Sequence, residues 1–182
     1  MILPWFRRRS QATSIAALYG AIVAQARSAC FYADYEVPDT VAGRFDLVVL
    51  HLVLLLYRLR HGEATRGLGQ GLFDAFCADL DANLREMGTG DLAVPKKMQA
   101  FAEAFYGRQA AYLAAFAAAD ARELEKALRR NIFADAADDS GAVRLAHYVR
   151  AARRRFEGQE DTALLRGEVA FPQPSAEVID HA

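Results

Sequence analysis

The side chains of this chain that are capable of chemistry are few and scattered. Its four histidines, at positions 51, 61, 147 and 181, fall in separate predicted elements, and none has the His-x-x-x-His or Glu-x-x-His spacing of a helical metal site. Three nearby carboxylates, Asp79, Asp81 and Glu86, are spread around the circumference of a helix instead of pointing at one place. We therefore predict that the chain is not an enzyme and holds no metal or cofactor.

Glycine and cysteine also favour structure over chemistry. The glycines between Gly62 and Gly71 lack the Lys-Ser/Thr ending of a phosphate-binding loop, so they predict a connector between helices. Cys30 and Cys77 are the only cysteines and form no Cys-x-x-Cys pair. We expect reduced thiols buried inside helices as small apolar fillers, in a reducing compartment.

One row of positive charge is a candidate for binding. Four side chains recur at intervals of three, three and four on one side of a predicted helix: Arg144, His147, Arg150 and Arg154. The row could contact an acidic protein, lipid headgroups or an RNA backbone, or it could be an ordinary solvated face. The net charge of -1, from 22 basic and 23 acidic residues, argues against a globally basic nucleic-acid binder.

The stretch 71–98 is the most informative part of the chain. Apolar residues recur there at helical spacing from Phe73 to Met87, which predicts an amphipathic helix. Gly88 can end that helix in the left-handed conformation, and Pro95 can open the next. The corner between the two helices suits a protein partner, and its predicted partner-binding residues are Leu84, Arg85, Glu86, Met87, Gly88 and Asp91. Alternatively, its polar residues only fix the corner, through an ion pair and caps.

The remaining elements predict an all-α fold, a single-domain irregular bundle of about six main helices with a short extended segment at 169–171. The first helix is expected from Ser10 or Thr13 to Cys30, and a second from a cap at Asp39 or Thr40 to Arg60. The second contains the most apolar stretch of the chain, so we place it at the centre of the bundle. His51 on that helix is expected to be hydrogen-bonded in the core.

The two ends of the chain are predicted to lie outside the helical domain at 10–174. Residues 1–9 combine tryptophan and phenylalanine with three arginines, a mixture suited to touching a membrane surface or to docking on the core. Residues 175–182 are expected to be a loose tail. The N-terminal residues lack the apolar core of a secretory signal, so export is not expected.

Beyond periodicity, the residues resemble the ubiquinol cytochrome c chaperone family over most of the chain, from about Ile15 to Pro174. The central matches are Phe73 to Phe76, Asp79, Asp81, Asn83-Leu84-Arg85-Glu86-Met87-Gly88, Gly90-Asp91-Leu92 and Lys96-Lys97. The flanking matches, in the same order as in the family, are Val37-Pro38-Asp39-Thr40, Gly43-Arg44-Phe45, Leu50-His51, Phe105-Tyr106, Tyr148-Val149-Arg150 and Gly167-Glu168-Val169.

The resemblance implies an assembly factor of ubiquinol:cytochrome c reductase that binds newly made cytochrome b or another subunit, together with a small assembly partner. For a bacterial relative, the expected location is the cytoplasm, with peripheral contact at the cytoplasmic face of the inner membrane. Such a chaperone needs a hydrophobic recess with a charged rim. We add Phe45, Tyr106 and the row from Arg144 to Arg154 as secondary candidates. The alternatives are a haem- or metal-binding helical enzyme and an RNA-associated helical adaptor.

Overall fold

The computed structural model describes the backbone of residues 4–174 and the side chains of residues 11–174. Within that range the chain forms helices and no strand, which confirms the predicted all-α bundle. Six helices have ten residues or more and two have five. Their bounds are α1 Pro4–Ala26, α2 Ala29–Ala33, α3 Val41–Leu59, α4 Arg66–Glu86, α5 Val94–Ala117, α6 Arg122–Asn131, α7 Ser140–Glu157 and α8 Asp161–Leu165. The side chains of residues 1–9, on which the predicted membrane contact depends, and the predicted tail at 175–182 lie outside the described part of the chain.

Helix α3 lies at the centre of the bundle, as its apolar composition predicts. It packs against α1, α4, α5 and α7, and Leu47, Leu50 and Leu52 on it are fully buried. The hydroxyl of Thr40 caps its first turn by accepting a hydrogen bond of 3.1 Å from the backbone N–H of Gly43. The first turns of α3 therefore lie at one end of the bundle.

Helix α4 begins at Arg66, so the prediction of a connector up to Gly71 is wrong over its second half. Gly71 serves the contact between α1 and α4 instead. A Cβ atom on Gly71 would lie 2.3 Å from Cδ1 of Ile15. Glycine at this position therefore lets the two helices approach closely, at the cost of some helix propensity. Gln11 and Gly67 meet by a side-chain hydrogen bond, and Tyr19 and Asp79 by another, so α1 and α4 run in the same direction.

Helix α1 begins at Pro4, earlier than predicted. It also ends earlier, at Ala26, because Ser28 has ψ 126° and interrupts the helical backbone. Cys30 consequently lies in the separate short helix α2. Both cysteines are free and half-buried, so the expectation of fully buried thiols is wrong in degree. By length and composition, Gln11–Ala33 is the one described segment that could cross a membrane; it spans this break, and its Leu18 and Ile22 lie in the core.

The segment after α8 lies outside the helices, and it packs back on the body as predicted. Gln159 pairs in both directions with the backbone of Ala170, at 2.9 Å each way. The ring of Phe171 lies 5.1 Å from that of Phe156 and 5.4 Å from that of His51, measured between centroids. This segment therefore closes the side of the core that contains His51.

Candidate functional site

An apolar recess of about 260 Å³ opens at the end of the bundle where α1, α3, α4 and α5 meet. Four aromatic residues belong to its lining: Tyr19, Phe45, Phe76 and Phe101. The ring centroid of Phe45 lies 6.2 Å from that of Phe76 and 5.1 Å from that of Phe101. Leu84 on α4 and Val23 on α1 contribute to the walls. The amphipathic pattern of α4 explains the position of Phe76 and Leu84, because both lie on its inner face.

The rim of the apolar recess combines exposed apolar side chains with charges. Val41 is 79% exposed and Met87 is 73% exposed, although large apolar side chains usually find cover. Arg27, Arg44 and Asp79 supply the charged part of the rim. The structure thus contains a hydrophobic recess with a charged rim, and two of the six corner residues, Leu84 and Met87, line it.

The other four corner residues hold the turn between α4 and α5 or point to solvent. Arg85 bridges Asp81 at 2.7 Å and Asp91 at 2.6 Å, and these exposed pairs contribute little stability individually. Gly88 has φ +78°, the left-handed conformation predicted for the helix end. Glu86 is exposed. None of the four lines the apolar recess, so the geometry favours the alternative in which they fix the corner; their partner-binding role stays a prediction.

An ion pair between α3 and α5 contacts the ring of Phe45. Asp46 on α3 lies 2.7 Å from a guanidinium nitrogen of Arg108 on α5, and the guanidinium carbon of Arg108 lies 5.8 Å from the centroid of the Phe45 ring. Burial raises the pKa of Asp46 to about 6, although Arg108 opposes the rise. The pair therefore ties α3 to α5 next to Phe45, a residue that lines the recess.

His51 is a hydrogen-bonded core residue, which confirms the prediction. Its Nδ1 lies 2.7 Å from the carbonyl oxygen of Leu47, so Nδ1 carries the proton, and Nε2 accepts a 2.9 Å hydrogen bond from the hydroxyl of Tyr148. Gln25 in turn donates to that hydroxyl at 3.0 Å. Burial lowers the pKa of His51 to about 4, with the Leu47 carbonyl opposing the shift, and the ring is neutral at pH 7.

As the pH falls, His51 and Asp46 are expected to change the free energy of unfolding in opposite directions. The unfolded chain protonates His51 near 6.5 and the folded chain only near 4, so this histidine lowers the free energy of unfolding by about 3 kcal/mol between pH 7 and pH 4. The pKa of Asp46 is about 6 in the folded chain against an ordinary 3.8, so protonation of this carboxyl stabilises the folded chain over the same range.

Urea unfolding of the wild type, Asp46→Asn and His51→Gln at pH 7, 6, 5 and 4 measures the two contributions. Asp46→Asn is expected to lose stability more steeply on acidification than the wild type, and His51→Gln less steeply. The comparison uses slopes, so a constant loss of stability in either variant does not affect it. Identical slopes in all three proteins would contradict the assignment.

The secondary candidates do not gather at the apolar recess, except for Phe45. Tyr106 is 55% exposed and lines a second recess of about 340 Å³ between α3, α4 and α5, beside Phe73. The row on α7 lies on another part of the bundle, and two of its members are tied to other elements. Arg144 pairs with Glu36, and Arg150 pairs with Glu125 at 3.3 Å. Arg154 is exposed and His147 half-buried, so the row is not a continuous free cationic surface.

A larger cavity, of about 450 Å³, lies at the opposite end of α3, and one of its two arginines, Arg58, is committed to the fold. Arg58 donates to the carbonyl oxygens of Phe156 and Gln159 and pairs with Asp161 at 2.7 Å. Residues 11–174 contain no group of three or more His, Cys, Asp or Glu side chains placed to hold a metal ion. Arg58 is therefore held by other residues of the fold and is not free to bind a ligand in this cavity.

Several residues that line the apolar recess were not predicted from the sequence as binding candidates. Arg27 follows the last residue of α1, and Phe101 lies on an aromatic stripe that the sequence assigns to the core. Val41 is an ordinary first residue of a helix by sequence, and only the packing shows that it is exposed. Asp46 did carry a signal, since a carboxylate early in a strongly apolar helix needs a buried partner.

The chain is similar to one known protein family and to a solved structure of similar fold. A family model described as Ubiquinol-cytochrome C chaperone matches residues 33–171. A solved structure, described as the crystal structure of the Cbp3 homolog from Brucella abortus, is 41% identical and superposes with a TM-score of 0.83. The match covers 95% of this chain and 97% of that one. No curated protein matches the chain significantly.

Proposed function

The chain belongs to the ubiquinol-cytochrome c chaperone family, and on that premise we propose that it holds a newly made membrane subunit of ubiquinol:cytochrome c reductase in the apolar recess. Membership supports a role as an assembly chaperone. The finer proposal is that the subunit is cytochrome b and that the protein acts by binding, without catalysis. The proposed location is the bacterial cytoplasm, at the face of the inner membrane where such a subunit emerges; a small assembly partner stays a prediction.

One observation carries the proposal: Val41 and Met87 stand exposed on either side of a cleft lined by aromatic rings. A membrane subunit is rich in apolar helices, and a helix laid into an apolar groove is a common mode of recognition. Docking there would cover both exposed side chains. Because the ordering of two polypeptides offsets much of the gain, the expected affinity is moderate, which lets the client pass on to the membrane.

Capture of the full chain from its native membranes tests the proposed function. We expect a tagged chain to retain cytochrome b, and deletion of its gene to reduce the amount of assembled reductase. Deletion that leaves reductase assembly unchanged would show the proposal to be wrong. A Soret absorbance of the purified chain that disappears in His51→Ala would instead favour the haem-binding alternative, and retention on RNA that falls steeply with salt would favour the adaptor.

A further inference from the structure

The apolar recess has two distinguishable ends. At one end the hydroxyl of Tyr19 donates a 2.8 Å hydrogen bond to Asp79, which joins α1 to α4. At the other end, Arg27 and Arg44 stand on the rim. Tyr19 and Arg27 are eight residues apart on α1 and just beyond it, so their Cα atoms are separated by roughly 12 Å along the helix axis. That length matches two to three turns of a helix.

The two ends differ in charge. Arg27 is exposed and makes no hydrogen bond or ion pair with any side chain in the described part of the chain. Arg44 pairs with Asp39 at 2.7 Å, but both side chains are more than half exposed, so water can replace that pairing readily. Both arginines lie near Tyr32, where each opposes the rise in the pKa of the hydroxyl that burial causes. The carboxylate of Asp79 marks the opposite end.

An α-helix is complementary to such a recess in one direction only. Its N-terminal end carries a partial positive charge and its C-terminal end a partial negative charge. The favourable arrangement places the C-terminal end against Arg27 and Arg44 and the N-terminal end against Asp79. Since α1 and α4 both run from the Tyr19–Asp79 contact towards the arginines, the bound helix would run parallel to them.

We propose that the apolar recess binds an apolar helical segment of a partner polypeptide in this single orientation, with an acidic side chain in the last turn of the segment facing Arg27 and Arg44. This inference rests on the proposed function, because it assigns a direction and a charge pattern to the client segment. The charged rim would distinguish client helices by the position of their acidic residues. Apolar burial alone would not distinguish them.

Two synthetic helical peptides of 14 residues test the orientation. They share one leucine- and alanine-rich sequence and one hydrocarbon staple that keeps both helical. One carries glutamate in its last turn and lysine in its first, and the other has the two charges exchanged. Fluorescence anisotropy with the full chain at low salt is expected to show roughly tenfold tighter binding of the peptide with glutamate in the last turn. Added salt should reduce the difference, because the rim charges are exposed.

The variant Arg27→Glu/Arg44→Glu is expected to abolish or invert the preference. The matched control Arg122→Glu/Arg130→Glu makes the same change in net charge on the exposed arginines of α6 and should leave the preference unchanged. Equal binding of the two peptides, lost in Val41→Asp/Met87→Asp, would overturn the orientation and leave the docking function standing. Failure of both peptides to bind would overturn the orientation and count against docking as well. A concentration-dependent dimer that Val41→Asp/Met87→Asp abolishes would assign the recess to a second copy of the chain and overturn the proposal.

Discussion

Replacing Val41 and Met87 together by aspartate is expected to reduce capture of the membrane subunit by about 100-fold or more. Both side chains are more than 70% exposed, at 79% and 73%, and docking would bury them. Burying one large apolar side chain is worth roughly 1.5–3 kcal/mol, and a buried unpaired carboxylate adds a desolvation penalty. Because neither residue is buried in the free chain, its free energy of unfolding should stay within about 0.5 kcal/mol of the wild type.

The matched control is Leu92→Asp. Leu92 is 99% exposed in the turn between α4 and α5 and does not line the apolar recess. This variant makes the same chemical change on a neighbouring surface and should retain normal capture. Equal loss in the control and in the double variant would mean that capture depends on general surface hydrophobicity, which would contradict the assignment of the recess.

Gly43→Ala is expected to destabilise the fold by about 3 kcal/mol, the largest effect of any single substitution considered for this chain. A Cβ atom at position 43 would lie 2.0 Å from the carbonyl oxygen of Pro38. That atom belongs to the backbone of the turn before α3, so it cannot move aside as a side chain would. The first turn of α3, with its Thr40 cap and with Val41 on the recess rim, would have to shift. Capture should therefore fall together with the free energy of unfolding.

Gly107→Ala is the control for this substitution. Gly107 lies within α5, and no atom stands within 4 Å of a Cβ built on it. Alanine is favoured over glycine inside a helix, so this variant should gain about 1 kcal/mol. Urea unfolding of both variants measures the two effects. Gly43→Ala with wild-type stability would show that Pro38 and Gly43 do not approach as closely as described.

Periodicity predicted most of the helices because each buries one continuous face. The apolar stripe of α4, the central position of α3 and the left-handed Gly88 all follow from spacing and backbone sterics. The start of α4 was missed because glycine normally signals a connector. Glycine is needed at position 71 because Ile15 approaches it closely, and this contact joins residues that are distant in sequence.

The candidate site was predictable only in part, for the same reason. Spacing identified Leu84 and Met87 as one side of a helix, and the family resemblance added Phe45 as a secondary candidate. Neither could show that these residues share a recess with Val41 and Arg27. The row on α7 shows the converse. Its common face was correctly derived from intervals of three and four, whereas the partners of Arg144 and Arg150 come from distant elements and leave less free charge than the spacing indicates.

The central claim is that a newly made reductase subunit occupies the apolar recess, and site-specific photo-crosslinking in cells tests it most directly. A benzophenone amino acid would be placed at position 41 or 87 of the full chain, and at position 154 on α7 as the rival surface. We expect adducts with the newly made membrane subunit from positions 41 and 87 and none from position 154. Adducts from position 154 alone would contradict it.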